Sequence, residues 1–148
     1  MSFTIGIVGT AGVGKTRFID RLDGNEFDSS YKATDQYEIR RLYYRNIDIE
    51  FRDFAGTQYY KTDNDLFFDL DVLLLMVDEF KISYINGRKI ASEILAKYLP
   101  KKVILVQNKI DKIDKIDNDK LLSRAHKISV KNNEGIEELM DEILNPSY

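Results

Sequence analysis

The apolar residues of this 148-residue chain fall into short blocks whose spacing switches between strand and helix periods. Phe3-Thr4-Ile5-Gly6-Ile7-Val8 is a nearly unbroken apolar run and reads as a buried strand. A helix is expected from Lys15 to Asp23, with apolar residues at helical spacing from Phe18 to Leu22 and a stop at Gly24. Asn25 to Asp35 is polar without a period and reads as a loop. Gln36 to Arg45 and Ile47 to Asp53 alternate, and Arg45-Asn46 between them offers a turn, so the pair predicts an antiparallel hairpin at a sheet edge. On its second strand Ile47, Ile49 and Phe51 share the buried parity, with Asp53 next on it.

A second irregular segment begins at Asp53-Phe54-Ala55-Gly56, and a short helix is expected near Asp65 to Leu70. Asp71 to Val77 and Lys102 to Gln107 are aliphatic runs of the kind covered on both faces in a parallel sheet. Between them Ile90, Ile94, Leu95 and Tyr98 recur at helical spacing ahead of Pro100. A short strand around Lys127 to Val130 and a helix from Asn133 to Asn145 complete the series. On that helix Ile136, Leu139, Met140, Ile143 and Leu144 form a core stripe. Strands alternating with helices after a hairpin predict an α/β domain with a mostly parallel sheet of about six strands and helices on both faces. No linker breaks the pattern, so residues 1–148 are expected to be one domain.

Composition narrows the chemistry by exclusion. A net charge of −3 and no basic stripe leave no electrostatic footprint for nucleic acid. Arg40-Arg41 and Lys101-Lys102 are isolated pairs and read as solvated surface. There is no cysteine, which removes disulfides, thiol chemistry, prenylation and palmitoylation; Ser2 in place of glycine removes N-myristoylation. The expectation is a cytoplasmic protein with no lipid anchor of its own. His126, the single histidine, sits just before the last strand and reads as structural.

Chemistry enters with Gly9-Thr10-Ala11-Gly12-Val13-Gly14-Lys15-Thr16, which fits G-x-x-x-x-G-K-[ST] between a strand and a helix. A bare glycine-rich turn would need neither the lysine nor the hydroxyl. In a phosphate-binding loop the glycines let backbone N–H groups close on a polyphosphate, Lys15 reaches its outer phosphates, and Thr16 ligates Mg²⁺. Asp53, at the C-terminal end of its strand, sits where ligands gather in open α/β sheets.

Asn108-Lys109-Ile110-Asp111 selects the base. Guanine offers two adjacent donors, N1–H and its exocyclic amine, and one carboxylate accepts both; adenine cannot present that pair. Taken alone, the four residues could be a charged turn. Following an aliphatic strand and a phosphate loop, they read as a guanine site. The echoes Lys112-Ile113-Asp114 and Lys115-Ile116-Asp117 follow no strand and carry no site.

With these residues in hand, the chain resembles a Ras-like small GTPase over essentially its whole length, with five motifs in the family's order. The resemblance implies the P-loop NTPase fold, GTP/GDP as substrate and product, and Mg²⁺ as cofactor. It implies that Ala11, Gly12, Val13, Gly14, Lys15, Thr16 and Arg17 surround the phosphates. Phe27 would pack on the base, with Tyr31 and Thr34 in the first switch and Thr34 closing over Mg²⁺ and the terminal phosphate. Asp53 would hold Mg²⁺ through water, and the Gly56 N–H would sense the terminal phosphate. Asn108 and Lys109 would brace the base, Asp111 would select it, and Ser129-Val130-Lys131 resembles the last base-contacting motif.

Effector proteins would engage segments near 28–40 and 54–65, with a GTPase-activating protein and an exchange factor as further partners, in signal transduction or vesicle trafficking. Departures shape the expected rate. Thr57 stands where the family's water-orienting glutamine stands, as in the Rap branch, and Ala11 replaces a glycine. The expectation is therefore a slow GTPase. The alternatives are a nucleotide-holding interaction module that scarcely hydrolyses and an ATP-dependent phosphotransferase.

Overall fold

The computed structural model describes residues 2–10, 12–23, 37–54, 69–109 and 124–145. Six strands, β1 (Ser2–Val8), β2 (Tyr37–Tyr44), β3 (Ile47–Phe54), β4 (Val72–Val77), β5 (Lys102–Gln107) and β6 (His126–Lys127), form one sheet in the order β2-β3-β1-β4-β5-β6. Only the β2–β3 pair is antiparallel; the other four pairings are parallel. Arg45 and Asn46 turn the hairpin with positive φ of 51° and 62°, the signature of a two-residue turn whose twist suits the strands it joins.

Strand alternation sorts the core into two layers. Phe3, Ile5 and Ile7 of β1, with Val72, Leu74 and Met76 of β4, face one way and bury α1 (Lys15–Asp23) and α3 (Ile136–Leu144). Val8, Leu73, Leu75 and Val77 face the other way, beneath Tyr84, Ile90, Ala91 and Ile94 of α2 (Lys81–Leu95). Phe18 of α1 meets Phe51 of β3 edge-on, ring centroids 6.2 Å apart, which fixes the helix over the hairpin. With three helices among the described residues, this mostly parallel α/β architecture is that of the P-loop NTPases. No helix among the described residues is long and apolar enough to cross a membrane.

Several sequence expectations are corrected. β5 is not covered on both faces, because Val103 is 47% exposed. β6 spans only His126–Lys127, so His126 lies in the strand rather than before it. Ser129 instead pairs with Glu134 through two backbone hydrogen bonds of 2.9 and 3.0 Å, and this bridge with Gly135 (φ 74°) delays the last helix to Ile136. Asp69, at φ 58°, and Leu70 are not helical, and the rest of that expected helix lies outside the described residues. So do the 25–35 loop, the Gly24 stop and the repeats at 112–117.

Arg40 and Lys102 are not solvated surface. The Arg40 side chain is only 10% exposed and pairs with Asp20 and Asp23 of α1. Lys102 donates to the Glu142 carbonyl at 2.7 Å and pairs with its carboxylate at 3.1 Å. Arg40 and Arg41 split because successive strand residues point to opposite faces, whereas Lys101 precedes the strand that Lys102 begins. Arg41 and Lys101 are the exposed members.

Candidate functional site

β1 ends at Val8 and α1 begins at Lys15, so the segment between them must reverse the chain at the C-terminal edge of the sheet. Gly12 (φ 83°) and Gly14 (φ 103°) supply the left-handed backbone for this reversal. A Cβ on Gly14 would lie 2.3 Å from Asn108 Nδ2, whereas one on Gly12 would meet nothing within 4 Å. The loop is thus tight on its protein side at Gly14 and open at Gly12. Phe18 N–H donates to Gly14 O at 2.9 Å, closing the first helical turn. The earliest N–H groups of a helix have no carbonyl one turn back and carry its positive end.

Lys15 is buried, and its Nζ donates to Gly9 O at 2.9 Å and Thr10 O at 3.3 Å, inside the curl of the loop. Burial pushes its ammonium below the usual lysine value, against the opposing pull of the Asp53 carboxylate. Thr16 Oγ1 donates to Asp53 Oδ2 at 3.3 Å, joining the start of α1 to the end of β3. Asp53 is 4% exposed, and its Oδ1 is buried without a hydrogen-bond partner. Burial raises its carboxyl above the ordinary value, while Lys15, the Thr16 hydroxyl and Arg40 pull it down. Both groups are therefore short of the counter-charge that their burial calls for.

A hard divalent cation fits this deficit. A hydroxyl and a carboxylate with an unpartnered oxygen are oxygen donors of the type Mg²⁺ takes. Among the described residues no three His, Cys, Asp or Glu side chains cluster to hold a metal. A cation here would draw its remaining ligands from substrate phosphates and water, as Mg²⁺ commonly does.

The opposite side of the loop is braced by the segment after β5. Asn108 is buried; its Nδ2 donates to Val13 O at 2.9 Å and its Oδ1 accepts from Val130 N at 3.1 Å. Lys109, held at φ 67°, donates from Nζ to Gly12 O at 2.5 Å. A non-glycine residue in that region is strained, and such strain concentrates at functional sites. Ser129 is fully buried and its Oγ accepts from Asn132 N at 3.1 Å, rounding off the 129–132 turn.

Gly12, Val13, Gly14, Lys15, Thr16, Asp53, Asn108, Lys109, Ser129 and Val130 thus gather at one end of the sheet. Arg17 and Lys131 are exposed. Ala11, Phe27, Tyr31, Thr34, Gly56, Thr57 and Asp111 lie outside the described residues. Two further residues bear on the site, Arg40, which the sequence reads as solvated surface, and Arg21, to which it assigns no role. Arg40 ties β2 to α1, and Arg21 reaches from α1 to the carbonyls of Val130 and Lys131. Neither sits in a motif, and an arginine on a short amphipathic helix gives no signal of its partner.

Residues 4–111 match the protein family described as Ras of Complex, Roc, domain of DAPkinase. A comparison with curated proteins finds no match. The family match runs from β1 through the phosphate loop and β5 to Asn108-Lys109-Ile110-Asp111, well over half the chain. It agrees with the sheet order and with the loop between β1 and α1, and on that ground the chain belongs to the Roc family, a branch of the Ras-like GTPase domains.

Proposed function

We propose that this single domain binds GTP and GDP with Mg²⁺, hydrolyses GTP slowly, and works as a molecular switch in the cytoplasm. The observation that carries the reading is the pair of buried charges at the glycine-rich loop, Lys15 inside its curl and Asp53 beside it with one carboxylate oxygen unpartnered. A magnesium polyphosphate answers both deficits at once: an anion for the ammonium and a cation for the carboxylate.

In this reading the Gly12–Thr16 backbone and the positive end of α1 hold the phosphates. Lys15 exchanges its carbonyl partners for the outer phosphate oxygens and neutralises charge that grows on the leaving group. Thr16 and Asp53 hold Mg²⁺, which when bound neutralises phosphate charge and fixes the terminal phosphate's orientation. Asn108 and Lys109 stiffen the loop toward the base side, Asp111 accepts from guanine, and Ser129-Val130-Lys131 lines the same edge. Phe27 packs on the base, and Tyr31 belongs to the first switch. Thr34 and the Gly56 N–H meet the terminal phosphate, so its loss releases the segments that carry them. Effectors, an activating protein and an exchange factor read those segments, near 28–40 and 54–65.

Thr57 has no amide with which to orient the attacking water, and this supports a low intrinsic rate. The same residue favours a second reading, a nucleotide-holding module with almost no turnover. Single-turnover release of phosphate from GTP decides between them. Slow but measurable release that a cell extract accelerates is expected; no release at high protein concentration with extract would favour the module.

A further inference from the structure

The Val130 peptide is gripped from two sides. Its N–H donates to the buried Asn108 Oδ1 at 3.1 Å. Its carbonyl accepts from Arg21 Nε at 3.2 Å and Nη2 at 2.9 Å, and the next carbonyl, Lys131 O, accepts from the same Nη2 at 3.0 Å. Arg21 lies in the last turn of α1, 109 residues away in sequence from Val130. A guanidinium carries its donors in one rigid plane, so a fork onto two consecutive carbonyls fixes the orientation of the backbone and not only its distance.

These bonds close a ring. Val13 in the loop is held by Asn108 Nδ2, Asn108 holds Val130, Val130 is held by Arg21, and α1 returns from Arg21 to the loop through the Phe18–Gly14 hydrogen bond. Cutting the ring at Arg21 leaves the loop, Lys15, Thr16 and Asp53 with every contact described above. What it loosens is the 130–131 carbonyl pair, while Asn108 still holds the Val130 N–H and Glu134 still pairs with Ser129. In a trans peptide the N–H points opposite to the C=O. A Val130 carbonyl turned to Arg21 therefore turns the Lys131 N–H away from Arg21.

We infer that Arg21 is a positioning residue for base recognition: it holds the 129–131 backbone in the orientation that meets a 6-oxopurine, and so sets how long the nucleotide stays bound. The inference rests on the guanine-nucleotide reading above. Because Arg21 is exposed at the surface, the effect is moderate.

The test uses the full chain and its Arg21→Gln and Arg21→Lys variants. It measures release of fluorescent GDP, and binding of IDP and of inorganic tripolyphosphate by competition. Arg21→Gln should release GDP about three- to tenfold faster and weaken GDP and IDP alike, since both carry the 6-oxo group. Tripolyphosphate binding should stay within about twofold, because the phosphate side of the ring is untouched. Arg21→Lys, which keeps the positive charge but not the planar fork, should fall between. A GDP release rate equal to wild type, or tripolyphosphate weakened as much as GDP, overturns the role assigned to Arg21. If Arg21→Gln does not fold, Arg21→Lys decides by the same two readouts. A wild-type chain that binds no GDP would instead defeat the functional reading itself.

Discussion

Replacing Asp53 with asparagine should make the ligand-free protein more stable and the nucleotide complex weaker. Asp53 is 4% exposed; among the described residues one carboxylate oxygen accepts from Thr16 at 3.3 Å and the other has no partner. Burial disfavours the ionised carboxylate by about 1–3 kcal/mol, and an uncharged amide in the same place escapes that charge penalty. Lys15 and Arg40 offset part of that by attraction, and the amide forgoes this benefit. The net gain for Asp53→Asn without ligand is about 1 kcal/mol, or a rise of about 2–4 °C in Tm for a domain near this size.

The pH dependence fixes the sign. Burial raises the folded-state pKa of Asp53, so the native protein holds a proton that the unfolded chain has already lost. Wild-type stability contributed by this group therefore falls as pH rises from the ordinary carboxylate value, about 3.9, through the raised one. The advantage of asparagine should be complete above that window and vanish below it. With GDP and Mg²⁺ in excess the order reverses: ligand at 100 times Kd adds about 2.7 kcal/mol to the wild type, and the amide forgoes much of it. Thermal melts at pH 4 and pH 7, with and without Mg²⁺ and GDP, measure all four corners. An asparagine variant less stable than wild type at pH 7 without ligand would refute the claim that Asp53 is under-compensated.

Other positions give sharp outcomes. Asn108→Ala removes both braces and leaves Val13 O and Val130 N without their buried partner, so urea unfolding should show a loss of about 2–3 kcal/mol. Gly14→Ala places a Cβ 2.3 Å from Asn108 Nδ2 at a φ of 103°; a loss of about 1–3 kcal/mol, with GDP binding abolished in calorimetry, is expected. Arg40→Ala removes one partner each from Asp20 and Asp23, which are 30% and 28% exposed. Partial solvation of the two acids limits the loss to about 1–2 kcal/mol, read as a lower urea midpoint.

The sheet was legible because its strands announce themselves by period. β1, β4 and β5 are aliphatic runs, and the alternation of Ile49, Phe51 and Asp53 placed the acid on the same face as its neighbours. The loop was legible because close approach to phosphate demands glycine, lysine and a hydroxyl at fixed spacing. What the sequence hid depends on long-range partners. Arg40 and Arg41 are adjacent letters, yet one is buried against α1 and the other exposed. Arg21 carries no mark of the two carbonyls it holds. Glu134 sits in an apparently helical stretch, but its backbone bridge to Ser129 postpones α3 by three residues relative to the expected start at Asn133.

A pocket that holds a magnesium nucleotide and reads guanine must tell GDP from ADP. Unlabelled GDP and ADP, each competing against fluorescent GDP with and without Mg²⁺, measure that discrimination. GDP should displace the probe at concentrations at least about a hundredfold below ADP, and removing Mg²⁺ should speed its release. Equal displacement by ADP and GDP would mean that the protein has no guanine-selective site.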